Sequence, residues 1–337
     1  VNAGFFLTPD EAHVMIAADA KNKEVLFPYM IGRDLVEAGG PTRWIIDFAK
    51  RDTFAARSYQ IPFEHIRGSV LPSVTARAAK EQADTGIEVT RYTRILERWW
   101  QFYDYRPGTV AAIHSVPRYI AVSRVTKRPI FEFISSEIHA DTALVIFPLA
   151  DDYSFGILQS GIHFDWFKAR CSTLRGDYRY TSDTVFDSFP WPQSPNKKQI
   201  GAVAAASLAL RDLRNEIMRK MDYSLRDLYR TLEDPGANPL REAQDKLDAA
   251  VRAAYGMTKT DGVLEFLLEL NHACATREKA GEAITPPGLP LPESEHAFFI
   301  SNDCILPEIP DGSSDESRAK AAHFHSSIVQ EQTASYG

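Results

Sequence analysis

The chain has 337 residues, 44% of them hydrophobic and 25% charged, which exceeds one typical domain and is enough to bury at least one sizeable core. No run of about eighteen apolar residues occurs, which argues against a transmembrane helix. Three cysteines, Cys171, Cys274 and Cys304, stand far apart in no CxxC or Cys/His spacing, which argues against a disulfide framework or structural zinc and fits a reducing cytoplasm.

The net charge of -7 is unfavourable for a nucleic-acid partner until its distribution is considered. Residues 41–140 carry 15 basic against 10 acidic side chains, whereas residues 281–337 carry 2 against 9. The tail holds the whole deficit, and the middle is mildly basic. Val1 opens the chain with no charged-then-apolar segment after it, as expected of a piece of a longer protein without an export address.

Thr8-Pro9-Asp10-Glu11 predicts a capped helix running to Ala20, with Pro at its first position and acids in its first turn. Val25–Gly32 reads as an extended apolar segment interrupted by Pro28. A Gly39-Gly40-Pro41 turn precedes Arg43–Phe48, whose Trp44, Ile45, Ile46 and Phe48 predict a buried strand. From Thr53 to Ala83 the pattern is mixed, and Arg77 and Lys80 fall on a helix or a loop. Arg91–Tyr103 has helical period, with Tyr92, Ile95, Trp99 and Phe102 on one face. That face suits an aromatic core better than a base-stacking platform.

Arg118–Val122 and Ile130–Ile134 predict two adjacent strands, and Ala143–Leu149 a third, buried on both faces. Between the first two, Arg124, Lys127 and Arg128 make a compact positive site. It suits phosphate contact or guanine-edge reading, and equally a solvated loop. Asp151–Pro192 then mixes aromatic, basic and small polar residues densely and reads as a surface that holds something. Ser160 caps a segment carrying His163 to Lys168, and Arg170, Arg175, Tyr178, Arg179 and Tyr180 follow. Guanidinium groups and phenols at this spacing can grip phosphates, but composition alone also allows core aromatics with solvated arginines.

Phe189-Pro190-Trp191-Pro192 breaks regular structure and closes the first unit. Gln199–Met221, Ser224–Leu232, Pro239–Tyr255 with Gly256 as its C-cap, and Asp261–Ala275 predict a helical bundle. The Pro-rich, acidic remainder is expected to have little core of its own. The division is therefore 1–195, 196–280 and 281–337, and the fold class is α+β: a mixed first domain around a twisted β-sheet, a small helical bundle, then the acidic tail.

The run SFGILQSGIHFDWF, followed by GDYRYTSDTVFDSFPWP, resembles the end of the target-recognition domain in MmeI-like DNA methyltransferases, the enzymes that join adenine methylation and sequence specificity in one chain. Pro28, Tyr29, Gly32, Asp34 and Arg43–Phe48 resemble the opening of that domain. Trp99, Trp100 and Arg106-Pro107 match its middle, and LRDLY, LDAAVRAAYG and LLELN resemble the helical part that follows it. The resemblance covers Phe5 to Ala275. It implies duplex DNA as partner, an upstream methyltransferase domain in the same parent, and S-adenosylmethionine as the parent's cofactor. It further implies base-edge reading by Arg124, Lys127 and Arg128. Arg77, Lys168, Arg170, Arg175, Arg179 and Tyr180 are then candidates for the DNA backbone.

Catalytic signatures are missing from the sequence. No glycine-rich turn follows a strand to hold S-adenosylmethionine, no Asn/Asp-Pro-Pro-aromatic motif is present, and no nuclease carboxylate pair precedes Glu-x-Lys. No cofactor is therefore expected in this chain. His139, His163 and Asp165 lack ligand spacing for a metal. Ser160 and His163 as nucleophile and base lack a third partner or oxyanion site in the sequence, and two alternatives stay open: a protein-interaction subunit of a larger defence assembly, and a self-contained hydrolase using His163 and Asp165.

Overall fold

The computed structural model describes residues 2–102, 106–174 and 177–307. Its described strands are β1 (Phe6–Leu7), β2 (Leu26–Met30), β3 (Arg43–Ile46), β4 (Arg118–Ser123), β5 (Val125–Thr126), β6 (Glu132–Ser135), β7 (His139–Ala140), β8 (Leu144–Phe147), β9 (Ser172–Leu174) and β10 (Asp177–Arg179). The class is α+β, but the strands fall into three small sheets, ordered β1-β3-β2-β7, β6-β4-β8 and β5-β10-β9, instead of the one twisted sheet expected.

In the first sheet, Trp44, Ile45 and Ile46 are buried beside Leu26 and Tyr29. β7 pairs in parallel with Tyr29 and Met30 alone, which leaves Pro28 at an open edge on that side. Thr8 forms the expected capping box with Glu11, and its helix spans Pro9–Ala18. The mixed stretch after Thr53 resolves into two helices, Thr53–Arg57 and Gln60–Thr85. The second continues through Pro72 because Pro72 and the Gly68 carbonyl it leaves unbonded both lie on the exposed side. The aromatic helix is shorter than its period suggests: it spans Arg91–Leu96, and Tyr103 lies outside the described residues. Trp99 turns back onto Phe63, centroid to centroid 5.4 Å, and the Trp100 indole donates to the Arg51 carbonyl at 3.0 Å.

The second sheet is buried on both faces. Ile120, Val122, Phe133, Val145 and Phe147 join one apolar cluster, while Tyr119, Ala121, Ile134 and Leu144 join another, the two-residue alternation of a strand sandwiched between layers. The first cluster runs from β4 through Trp166, Phe189 and Trp191 into Ile200, Leu210, Leu247 and Leu267. One core thus crosses the boundary placed near residue 195.

The helix Asp152–Gln159 is the joint, with all eight residues buried and the helix Lys197–Met221 against it. Gly156 permits the close approach: a Cβ there would sit 2.7 Å from Val203 Cγ1 and 3.3 Å from Ser207 Cβ. Gly156→Ala is accordingly expected to lower stability by about 1–3 kcal/mol through overpacking, read as a fall in the urea midpoint at unchanged slope.

Residues 281–307 depart from the expectation of a bare extension. Leu289, Leu291, Phe299 and Cys304 pack on the shared core, Ile305 bridges to Ile134 of β6, and Asp303 enters a buried ionic cluster. In that cluster Asp152 Oδ1 accepts from Arg118 at 2.9 Å and from Arg211 at 2.5 Å. Arg118 lies 3.6 Å over the Phe133 ring, and Arg211 lies 4.6 Å over that of Phe155. Although burial pushes the Asp303 carboxyl up, its bond to Arg211 and the charges of Arg211 and Arg118 hold it below the usual carboxylate range.

Candidate nucleic-acid interface

The predicted cations fall on two adjoining surfaces. Arg124 follows β4, and its backbone is clamped by the Ala143 carbonyl at 2.7 Å and by the Tyr180 amide at 2.8 Å. Its guanidinium is half-buried and donates to the Thr142 carbonyl at 2.7 Å and to that of Leu144 at 3.3 Å. Burial, then the nearby charges of Arg179 and Arg106, lower its pKa, so three guanidiniums share one electrostatic neighbourhood. Arg179 is exposed on β10, opposite Val125 of β5.

Lys127 and Arg128 are exposed in the turn after β5. Thr126 shapes that turn, its hydroxyl donating to the Arg128 carbonyl at 2.6 Å. Arg128 reaches the Phe164 ring at 5.6 Å, and Lys168 reaches the same ring at 4.7 Å. The loop cations and the cations of the helix Gly161–Arg170 therefore meet at Phe164. Lys168 also pairs with Asp165 at 2.9 Å, and Arg170 lies 5.6 Å over the Trp166 indole.

Tyr180 does not belong to this surface. It is 0% exposed, stacks on Phe167 at 5.4 Å, and its hydroxyl is 3.0 Å from His163 Nε2. A phosphate cannot reach it. Much of the 151–192 stretch is likewise interior: Phe155, Ile157, Trp166 and Phe167 are buried, because aromatic bulk removed from water outweighs the polar residues between. Arg175 lies outside the described residues.

Arg77 is on the long helix, donating to the Tyr92 hydroxyl at 3.1 Å and lying 5.6 Å over that ring. It joins Arg124 in lining a cleft of about 610 Å³. Arg91 and Arg106 line the same cleft. Sequence reasoning did not single out Arg106 as a contact, although Arg106-Pro107 at the start of the helix Pro107–His114 was the available signal.

Of the residues considered for catalysis, Ser160 and His163 are closed off, whereas Asp165 is partly exposed and pairs with Lys168. Ser160 is 1% exposed; its hydroxyl donates to the Ile157 carbonyl at 2.7 Å and caps the His163 amide at 3.2 Å. His163 is 0% exposed, and burial lowers its pKa to about 4. His139 belongs to the first sheet, whereas His163 packs among Phe131, Tyr180 and Phe189. Among the described residues no group of three or more His, Cys, Asp or Glu could hold a metal ion, and no helix is long and apolar enough to cross a membrane.

Fold and site define an α+β scaffold whose turns and helix ends present a band of arginines and lysines. Residues 2–193 match the family described as "MmeI, target recognition domain"; the chain belongs to that family. DNA methyltransferase A of Bacillus subtilis (strain 168) is 31% identical over 182 residues, which are 51% of this chain and 19% of that protein. The fold is similar to that of the type IIL restriction-modification enzyme MmeI in complex with DNA, with a TM-score of 0.58 and 23% identity, over 81% of this chain and 34% of that one. The chain spans a minor part of both.

Proposed function

We propose that this chain reads sequence in duplex DNA as part of an S-adenosylmethionine-dependent adenine-N6 methyltransferase of a restriction-modification system, acting in the cytoplasm beside an upstream methyltransferase domain of its parent. The carrying observation is the meeting of the Arg128 and Lys168 side chains at one exposed-face ring, Phe164, in a member of this family. Arg128 and Lys127 read base edges from the turn after β5. Arg124, with two donors committed to carbonyls, mainly positions that turn. Lys168, Arg170, Arg179 and Arg77 hold phosphates and set register.

S-adenosylmethionine belongs to the parent's catalytic domain in this reading, because these residues do not fit it. Gly39 ends a helical turn, Asp34–Ala38, and is not preceded by a strand. The Asn238 side chain is already committed, capping the Leu240 amide at 2.9 Å and that of Arg241 at 3.3 Å.

Selection from a random duplex pool at two salt concentrations, with sequencing of the retained fraction, tests the proposal. Enrichment of one short motif is expected, with affinity falling as salt rises; no retention at low salt would favour a protein-interaction module. Within the motif, Arg128→Ala should relax discrimination at one base pair by about 1–3 kcal/mol, whereas Arg179→Ala should weaken all sequences alike and reduce the salt slope by about 1. Identical behaviour of the two variants would refute this division of roles.

A further inference from the structure

The cleft of about 610 Å³ is far too small for a duplex but is of the size that takes one small molecule. Its walls differ in chemistry. Arg77 and Arg91 come to it from two helices, Arg106 from just before the helix Pro107–His114 and Arg124 from between β4 and β5. Half-buried rings of Tyr92, Trp99 and Phe102 line it as well, as does the turn after β7, from Ala140 to Thr142.

Polar groups deeper in the cleft are unequally satisfied. His139 stacks on Phe27 at 4.1 Å, and its buried Nε2 has no hydrogen-bond partner. Its Nδ1 is 3.7 Å from Asp47, beyond hydrogen-bonding reach. Tyr29 is committed to Asp141 at 2.6 Å. Cations and rings lining one cleft are the complements of a phosphate and a flat base, respectively.

We infer that this cleft binds a single unstacked nucleotide, its phosphate on the arginines and its base against Tyr92. The inference rests on the DNA-reading proposal only for one of two sources, an unpaired nucleotide of the bound DNA; the other is a free nucleoside phosphate. Extrusion of a base is least unfavourable where it is already unpaired, and stacking on one ring alone supports binding of about tenfold or more.

Two arms of one calorimetric experiment on the full chain distinguish the sources. The first titrates deoxyadenosine monophosphate against inorganic phosphate. The second compares a fully paired duplex with the same duplex carrying one unpaired adenine. Thr142→Trp plugs the cleft from its exposed rim, and Thr142 contributes only its backbone carbonyl to Arg124, so the fold is kept. Tyr92→Ala removes the ring.

Duplex DNA as the source predicts about tenfold tighter binding of the bulged duplex, lost in both variants, with the paired duplex bound equally by wild type and Thr142→Trp. A free nucleotide as the source predicts binding of the monophosphate, weakened about tenfold by Tyr92→Ala, without preference for the bulge. Absence of both effects, or inorganic phosphate binding as tightly as the nucleotide, overturns the inference. If paired duplex is still bound in that case, the DNA-reading proposal stands; if paired duplex is not bound while the monophosphate is, that proposal fails and this one holds.

Discussion

Arg211→Ala should destabilise the chain by about 3–5 kcal/mol, the range for breaking a buried ion pair from one side. Arg211 is 2% exposed and binds three elements at once: Ser207 Oγ at 2.6 Å in its own helix, Asp152 at 2.5 Å in the joint helix and Asp303 at 2.6 Å in the C-terminal segment. Its removal leaves two carboxylates facing Arg118 alone in an apolar setting, and it strips a cation from the Phe155 face. Lys168→Ala is the control. The Lys168–Asp165 pair is exposed by 42% and 40%, and such pairs contribute about 0–1 kcal/mol. Urea unfolding followed by circular dichroism reads both. An Arg211→Ala midpoint close to that of Lys168→Ala would mean that the cluster relaxes to admit water.

The second large effect is acid sensitivity. Burial lowers the pKa of His163 from 6.5 to about 4 and does the same to His139, where the neighbouring His114 adds to it. Both are therefore neutral in the folded chain at pH 5, whereas in the unfolded chain they are mostly protonated. The sign follows: their stabilisation is complete above pH 6.5 and is lost as pH falls toward 4. Over pH 7 to 5 each accounts for a loss of about 2 kcal/mol. Buried Asp47 and Asp151 and half-buried Asp248, whose carboxyls burial pushes up, act in the opposite sense and stabilise the fold as pH falls. Comparison with His163→Gln isolates the histidine: the loss between pH 7 and 5 should be smaller by about 2 kcal/mol in the variant. Parallel curves would show that His163 finds a partner for its proton without unfolding.

Local rules made much of the fold legible. The Thr8 capping box, Gly256 as a left-handed C-cap and the strand β4 all follow from neighbours within a few residues. Arg124, Lys127, Arg128 and Arg77 were found as cations, and the first three as a turn between strands. Pairings at long range were not legible. Nothing near Tyr180 announces that its hydroxyl meets His163 inside the core, and nothing near Trp99 stops its helix at Leu96 except the Phe63 ring it packs on. The acidic composition of the C-terminal segment hid Asp303, whose partners Arg118 and Arg211 are supplied by distant elements.

The same closure fixes an order of events during synthesis. Arg118 meets the Asp303 carbonyl across 185 positions of sequence, and β6 gains its Ile305 neighbour only from that late segment. A nascent chain that has emerged as far as the helix Asp152–Gln159 contains Arg118 and Asp152 but lacks both Arg211 and Asp303. Non-local contacts of this span slow folding and prolong the exposure of unfinished apolar surface. The recognition half, although made before the helical bundle, completes its ionic centre only after it.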